Sequence, residues 1–370
     1  MSDLSDRLKT LALKPESTTS RSLVDSPRRG VATFGRPGGP LDQRSERSQL
    51  SVTTYFSDDL FRREMELIFQ HGPRYLGHEL AVPEVGDYHA LPQEGEGRAL
   101  VRTANGVELL SNVCRHRQAL MLRGRGNTHH TAPGHAAGNI VCPLHRWTYS
   151  LQGELLGAPL FQQDPCLNLN RYQTRSWNGM VFEDNGRDIA AELGRVGPKA
   201  DLDFTGYVLD KVHLHECNYN WKTFIEVYLE DYHVGPFHPG LGRFVNCDDL
   251  KWEFSAHHSV QTVGINDSLR QAGSPAYKRW HEAVLALGNG APPKQGALWL
   301  TYYPNIMVEF YYPEEIAAFE REFIESEQAA YMETCIEDDE AGPYQSPMED
   351  GMQHFHEWYR RVMGIGRAPW

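Results

Sequence analysis

Residues 112–126, NVCRHRQALMLRGRG, and 139–155, NIVCPLHRWTYSLQGEL, carry the reading that decides the fold. Each opens on a β-type run, bends into a loop, and offers one cysteine and one histidine: Cys114-Arg-His116 and Cys142-Pro-Leu-His145. Twenty-five residues separate His116 from Cys142, enough for two loops to present four ligands to one centre. A structural zinc also takes two Cys and two His, but zinc fingers usually pair Cys with Cys and His with His. One thiolate and one imidazole per loop is what a two-iron, two-sulfide cluster needs when two Cys hold one iron and two His the other. Neutral imidazoles in place of thiolates raise the potential and suit a site fed by a reductase; zinc stays open on spacing alone. Cys166, Cys217, Cys247 and Cys335 fall outside the pairs and read as small buried apolar residues. His129, His130 and His135 read as polar groups of the intervening loop. Arg115, Arg117, Arg123, Arg125 and Arg146 crowd the same loops, a positive collar suited to steering an acidic electron donor.

Outward from these loops, residues 75–188 hold short β-type runs (ALVRTA, VELLSNV, MVFE) between Gly, Pro and Asn turns, a small antiparallel β domain. Upstream, SDDLFRREMELIFQH has a capping Ser57 and helical apolar spacing, which predicts a helix over 57–70. Downstream, 206–220 reads as a strand, and 220–239, NWKTFIEVYLEDYHVGPFHP, as a helix over about 219–233 broken at Gly235-Pro236. Residues 251–264 and 297–312 read as strands; 314–339 and 348–363 read as helices. His233 and His238 flank the break, which would let both project towards one point. Two His and one carboxylate on one face of an iron keep it ferrous, with positions open for dioxygen. Glu337, Asp338, Asp339 and Glu340 are the candidate carboxylates.

The whole chain sets the outer bounds. At 370 residues, with 40% hydrophobic and 23% charged residues, it predicts about two domains with real cores. No apolar run reaches the length of a membrane span, no secretory leader opens the chain, and six cysteines exclude a disulfide scaffold. The expected setting is cytoplasmic. A net charge of −13 argues against a nucleic-acid partner. Thirteen acidic residues and one arginine lie between Glu314 and Asp350, chiefly a solvated face. Residues 14–50 are rich in Ser, Arg, Pro and Gly, and 1–50 read as a flexible arm that orders only against a partner subunit.

Together the two ligand segments resemble the oxygenase (alpha) components of the Rieske non-haem iron oxygenases, the aromatic-ring-hydroxylating group. FRREMELIFQHGPRYLGHE (61–79) and VGDYHAL (85–91) resemble that family's leading helix and first strand, so the likeness runs over about 51–370. It implies an α+β fold: a leading helix at 51–74, a small antiparallel β Rieske domain at 75–190, and a helix-grip (START-like) catalytic domain with an antiparallel sheet and helices at 191–370. It implies that Cys114, His116, Cys142 and His145 hold a [2Fe-2S] cluster. His233, His238 and Asp338, with Asp339 as the alternative, would hold a mononuclear Fe(II). Glu230 takes the place of the family's bridging acid, which contacts a cluster histidine of the next subunit. A Glu there resembles the subgroup acting on quaternary ammonium compounds. The implied assembly is a head-to-tail homotrimer fed by an NAD(P)H-dependent reductase, with a ferredoxin or a small beta subunit left open. The implied reaction is hydroxylation or oxidative demethylation of a small organic substrate with O2. Arene cis-dihydroxylation and a pure electron carrier with a silent second site are the alternatives. Phe224, Tyr228 and Phe237 are candidates for a pocket wall, though aromatics at helical spacing usually form core. The chain departs from the family where IMVEF runs straight into YYPEE and EDDE into GPYQSP.

Overall fold

The computed structural model describes residues 50–130, 138–194, 196, 202–237, 242, 245–265, 282, 295–311 and 347–365. The N-terminal arm, His135, His238, Cys335, the acidic segment with Glu337, Asp338, Asp339 and Glu340, and both departures from the family pattern lie outside them. The helix expected at 314–339 does too.

Two short helices lead, α1 (Thr53–Phe56) and α2 (Asp58–Glu64). Ser57 caps α2 by accepting the Leu60 N–H, and Asp58 and Asp59 sit at its positive end. The expected helix is present, but over Met65–Phe69 it widens into a π-turn that buries Ile68.

The β domain is three small antiparallel sheets. β2 (Asp87–Ala90), β3 (Arg98–Thr103), β4 (Gly106–Ser111), β5 (Arg125–Asn127) and β9 (Arg171–Tyr172) pair in the order β5-β2-β3-β4-β9. β6 (Ile140–Val141), β7 (Thr148–Tyr149) and β8 (Leu155–Gly157) carry the second ligand loop. β1 (Arg74–His78), β11 (Met180–Glu183) and β10 (Thr174–Trp177) form the third sheet. β3 is buried on both faces. Ala99 and Val101 share a core with Cys114, Cys142, Trp147 and Tyr149, while Leu100 packs with Leu76, Leu109 and Val181. That double burial is why ALV reads as a continuous apolar run.

Beyond it, α3 (Ile189–Leu193), α4 (Trp221–Tyr228) and α5 (Val234–Phe237) precede a four-stranded antiparallel sheet in chain order. Its strands are β12 (Val245–Phe254), β13 (His258–Ile265), β14 (Ala297–Tyr302) and β15 (Ile306–Tyr311). α6 (Asp350–Met363) follows. Alternate residues part to the two faces. Val260, Leu298, Leu300 and Tyr302 pack on Met180, Phe182, Ile189 and Leu193, so one core runs across the boundary expected at 190. On the other face, Val263 and Trp299 pack with Val234, and Met307 packs against the core of Ile225, Met352 and Phe355. The segment that carries His233 is thus held between the sheet and α6, the helix-grip arrangement.

Four expectations need correcting. Residues 206–220 form no strand; most are exposed and no ladder partner lies beside them among the described residues. The stretch 251–264 is a hairpin, reversing at Ser255–His257, and 297–312 is another, reversing at Tyr303–Asn305. Helix α4 ends at Tyr228, before Gly235 and Pro236, which lie inside the short turn α5. Cys166 and Cys217 are exposed, in a tight turn held by Asp164 and in the unpaired 206–220 stretch respectively. Among the described residues no helix is long and apolar enough to cross a membrane.

Candidate metal centres and the segment between them

The two cysteine–histidine loops are built alike. The Cys114 N–H donates to the Ala119 carbonyl (2.9 Å) and the Gln118 N–H to the Cys114 carbonyl (3.0 Å). In the second loop the Cys142 N–H donates to the Trp147 carbonyl (2.8 Å) and the Arg146 N–H to the Cys142 carbonyl (3.1 Å). The residue four past each cysteine is left-handed, Gln118 at φ 57° and Arg146 at φ 64°, a conformation uncommon outside glycine. The same closure made twice brings the four predicted ligands together. Both thiols are buried, free of disulfide and within hydrogen-bond reach of one another. The His116 and His145 rings meet edge-on with centroids 4.6 Å apart. Trp147 stacks flat on His116 at 5.0 Å, and His116 Nδ1 is buried without a partner among the described residues.

This donor set fits a two-iron cluster. Among the described residues no three His, Cys, Asp or Glu converge on a point suited to one ion. A structural zinc needs four at once, whereas each iron of a Rieske cluster takes two protein ligands and shares the sulfides. Partial desolvation, with His145 and Arg117 nearby, holds His116 below its usual range and favours the neutral ligating ring. Burial pushes the Cys142 thiol up, opposed by the backbone N–H groups of His145 and Leu144 that point at its sulfur. The Tyr149 hydroxyl lies 3.5 Å from Cys114 Sγ and accepts the Arg115 N–H at 3.2 Å. Of the arginine collar, Arg123 is tied to Glu96 (2.8 Å) and Arg125 donates to the Leu209 carbonyl. Arg115 and Arg117 are exposed with no side-chain partner among the described residues. His129 packs over Gly86 and Gly138, a loop residue as expected.

The second segment starts from a clasp. Asn220 caps α4 by accepting the Lys222 N–H (3.0 Å) and ties it to the leading helices through the Tyr55 carbonyl (2.8 Å). Lys222 Nζ and Trp221 Nε1 each donate to the buried Glu64 carboxylate at 2.8 Å, joined by the Tyr359 hydroxyl. One turn on, Glu226 accepts from the Tyr55 hydroxyl and pairs with His356 Nε2 (2.7 Å). The α4 helix is therefore fixed to α2 by the Lys222–Glu64 ion pair and to α6 by buried hydrogen bonds from Tyr359 and His356, and its C-terminus is delivered to a set place. Phe224 packs into this core rather than into a pocket, and Phe237 is exposed.

There Glu230 folds back. Its Oε2 accepts the backbone N–H of Tyr232 and of His233 (3.1 Å), and its Oε1 takes His233 Nδ1. These bonds replace the helical ladder, which is the physical reason α4 stops early. They also fix the His233 ring with Nε2 turned away, the usual preparation of an imidazole for a metal. Glu230 and His233 are thus brought together within one chain; His238 and Asp338 lie outside the described residues. Next to them Asp231 is buried, and Gln261 Nε2 donates to its Oδ1. Burial pushes Asp231 up to about 7, with Gln261 opposing. Burial and the nearby acids Asp231, Asp248 and Glu230 push Cys247 up to about 12, so its thiol is neutral.

Sequence reasoning missed Glu64, Lys222, Glu226, His356, Tyr149 and Gln261. For Lys222 and Glu226 a signal existed: two charges one turn apart in an otherwise apolar helix. Gln261 and Tyr149 carry no local signal.

Comparison with known proteins places this geometry. The Rieske [2Fe-2S] domain model matches residues 74–173, and the ring-hydroxylating alpha subunit (catalytic domain) model matches 204–320. A putrescine 2-hydroxylase of Ralstonia nicotianae is 59% identical over 359 residues, covering 85% of this chain and 96% of that protein. A putrescine 2-hydroxylase of Bordetella bronchiseptica is 54% identical, covering 86% and 85%. In fold, a quaternary ammonium Rieske monooxygenase superposes with a TM-score of 0.63 at 17% identity, over 85% of this chain and 95% of that one.

Proposed function

Because this chain belongs to the Rieske non-haem iron oxygenases, we propose that its reaction is the hydroxylation of putrescine or a closely similar short aliphatic diamine. The family assignment makes it an oxygenase component that uses dioxygen and reductase-supplied electrons on a small organic substrate. The observation that carries the substrate is the 59% identity along nearly all of the R. nicotianae putrescine 2-hydroxylase. It favours mono-oxygenation over arene cis-dihydroxylation, and these relatives lend no support to a role in breaking down aromatic hydrocarbons. One oxygen atom enters a C–H bond of the diamine; the other leaves as water, with two electrons from NAD(P)H and two protons.

The bound cluster supplies one-electron transfer and the bound iron supplies dioxygen chemistry. Cys114, His116, Cys142 and His145 would hold the first; His233, His238 and Asp338 the second. Glu230 keeps the His233 imidazole in one orientation through Nδ1. Burial of Glu230, Asp231 and His233 limits water at the reacting end of the substrate.

Two exposed surfaces support the head-to-tail ring. Leu144, next to His145, and Leu160 and Phe161, the latter edge-on to His116, stand exposed, as do Tyr232 and Phe237 on either side of His233. In a cyclic, heterologous assembly the first patch of one chain covers the second patch of the next. That places His145 of one chain near Glu230 of its neighbour. Arg115 and Arg117 then remain to steer an acidic reductase or ferredoxin; charge reversal at Arg117 should slow reduction and weaken its salt dependence.

The deciding experiment supplies purified protein with a reductase, NAD(P)H, putrescine and isotopically labelled dioxygen. A product one oxygen heavier, bearing label on carbon 2, supports the reading. NAD(P)H consumption with no oxygenated amine would sink it and revive the electron-carrier alternative.

A further inference from the structure

We propose that Asp231 and Gln261 form the seat for a primary ammonium of the substrate, a specificity device that rests on the diamine reading above. Asp231 is 6% exposed and Gln261 1%. Gln261 Nε2 donates to Asp231 Oδ1, and among the described residues this leaves two acceptors, Asp231 Oδ2 and Gln261 Oε1, buried without a partner. Two unmatched acceptors side by side are costly in an interior where nearly every buried polar group is satisfied.

The contrast with neighbouring carboxylates sharpens the point. Glu64 has Lys222, Trp221 and Tyr359. Glu226 has Tyr55 and His356. Glu230 has His233 and two backbone N–H groups. Among the described residues Asp231 receives one amide donor and no cation. Its missing partner is therefore a group that brings several N–H donors and a positive charge. A primary ammonium brings three donors. A quaternary ammonium brings none and is usually held by aromatic faces, so this seat discriminates between the two classes of amine.

Position agrees with the chemistry. Asp231 is two residues before His233. Gln261 lies on β13, paired across the sheet with Trp252 and Trp299, on the face that Val263 and Trp299 turn to Val234. In 2-hydroxylation the reacting carbon is bonded to the carbon that bears the nitrogen. An ammonium held next to a metal-ligand histidine brings that carbon to the reacting position, which a seat at the far end of the substrate would leave to a flexible chain.

The test uses the reconstituted holoenzyme with putrescine, butylamine and a trimethylated butylammonium. Anaerobic calorimetry gives binding; turnover with reductase gives KM and kcat. Wild-type protein should bind both primary amines and reject the trimethylated one. D231N should weaken putrescine binding about 30-fold or more, as expected for removing the charged partner of a buried ammonium. D231N should also lose the preference for a primary over a trimethylated amine, and because the seat sets the reacting carbon in place, kcat should fall as well as KM rise. Q261L, which leaves the Asp231 charge in place, should weaken binding less, and guards against a D231N chain that loses iron or fails to fold. Wild-type turnover of putrescine with unchanged binding in both variants overturns the seat alone. Wild-type protein that neither binds nor oxidises any of the three amines overturns the seat together with the substrate reading.

Discussion

Tyr149 meets the cluster loops with one oxygen, accepting the Arg115 N–H and lying 3.5 Å from Cys114 Sγ. A hydroxyl donating to a thiolate stabilises the more negative, reduced state. Y149F should lower the cluster potential by about 40–60 mV, the one-electron equivalent of a hydrogen bond worth about 1–1.5 kcal/mol. Redox titration followed by electron paramagnetic resonance measures it; an unchanged potential at full cluster content would assign the hydroxyl to the Arg115 amide alone. His354 makes a different kind of residue-scale prediction. Burial, with Arg361 adding repulsion, holds its imidazole down to about 4, against an ordinary 6.5. Between those values the unfolded chain binds a proton there that the folded chain refuses. The stability gained by keeping His354 neutral is therefore present above pH 6.5 and lost as pH falls towards 4. His257 and His258 are lowered by burial as well and add in the same direction. Melting temperature should fall over that window, and H354Q should flatten the fall; a superimposable profile would remove His354 from the account. The candidate cluster ligands could be read from the sequence because each pair is local, three or four residues across. Tyr149 and His354 were not readable because their roles depend on contacts with Cys114 and with Tyr303, 35 and 51 residues away.

At the scale of the element, α4 is held by charges rather than by helix propensity. Lys222 and Glu64 are 0% and 1% exposed and 2.8 Å apart, with the Lys222 ammonium also over the Trp221 ring. Removing one partner leaves the other buried and uncompensated. K222M should therefore destabilise the fold by about 3–5 kcal/mol in chemical denaturation. The double variant E64L/K222M should recover part of that loss, since it leaves no orphan charge but strands Trp221 Nε1 and the Tyr359 hydroxyl. If the double variant is no better than K222M, the pair is not the source of the cost. The elements most legible in sequence were those with clean periodicity, such as the α6 helix and β3–β4. The two hairpins were legible as β structure but not as reversals, because Ser255–His257 carries no Gly, Pro or Asn and Pro304-Asn305 sits inside an apolar run. The early end of α4 was illegible because a side chain, Glu230, and not a breaker residue, stops it.

At the scale of the whole molecule, the question is whether one chain suffices. The cluster loops belong to a core of the β domain, while Glu230 and His233 lie between β13 and α6, and both regions meet solvent with exposed apolar side chains. Local spacing reveals ligands within a chain but carries nothing about which chain they serve, so the assembly was available only through family resemblance. Subunit mixing resolves it. On the proposed ligand assignment H145A would disable the cluster and H233A the iron site, and each variant alone should be inactive. Co-expressed with different affinity tags and purified through both, the mixed oligomers contain both kinds of chain. In a ring where the cluster of one chain serves the iron site of the next, a junction works when an H233A chain precedes an H145A chain. Random mixing of equal amounts makes that true at about a quarter of the junctions of a cyclic assembly. Selecting for mixed rings raises the fraction, so product should appear at roughly a quarter of the wild-type rate or somewhat above. If each site is served only from within its own chain, no junction works at any ratio. Mixed oligomers that hold both metals yet form no product would therefore reject the head-to-tail ring as the working unit, and would leave the exposed Tyr232 and Phe237 to some other contact.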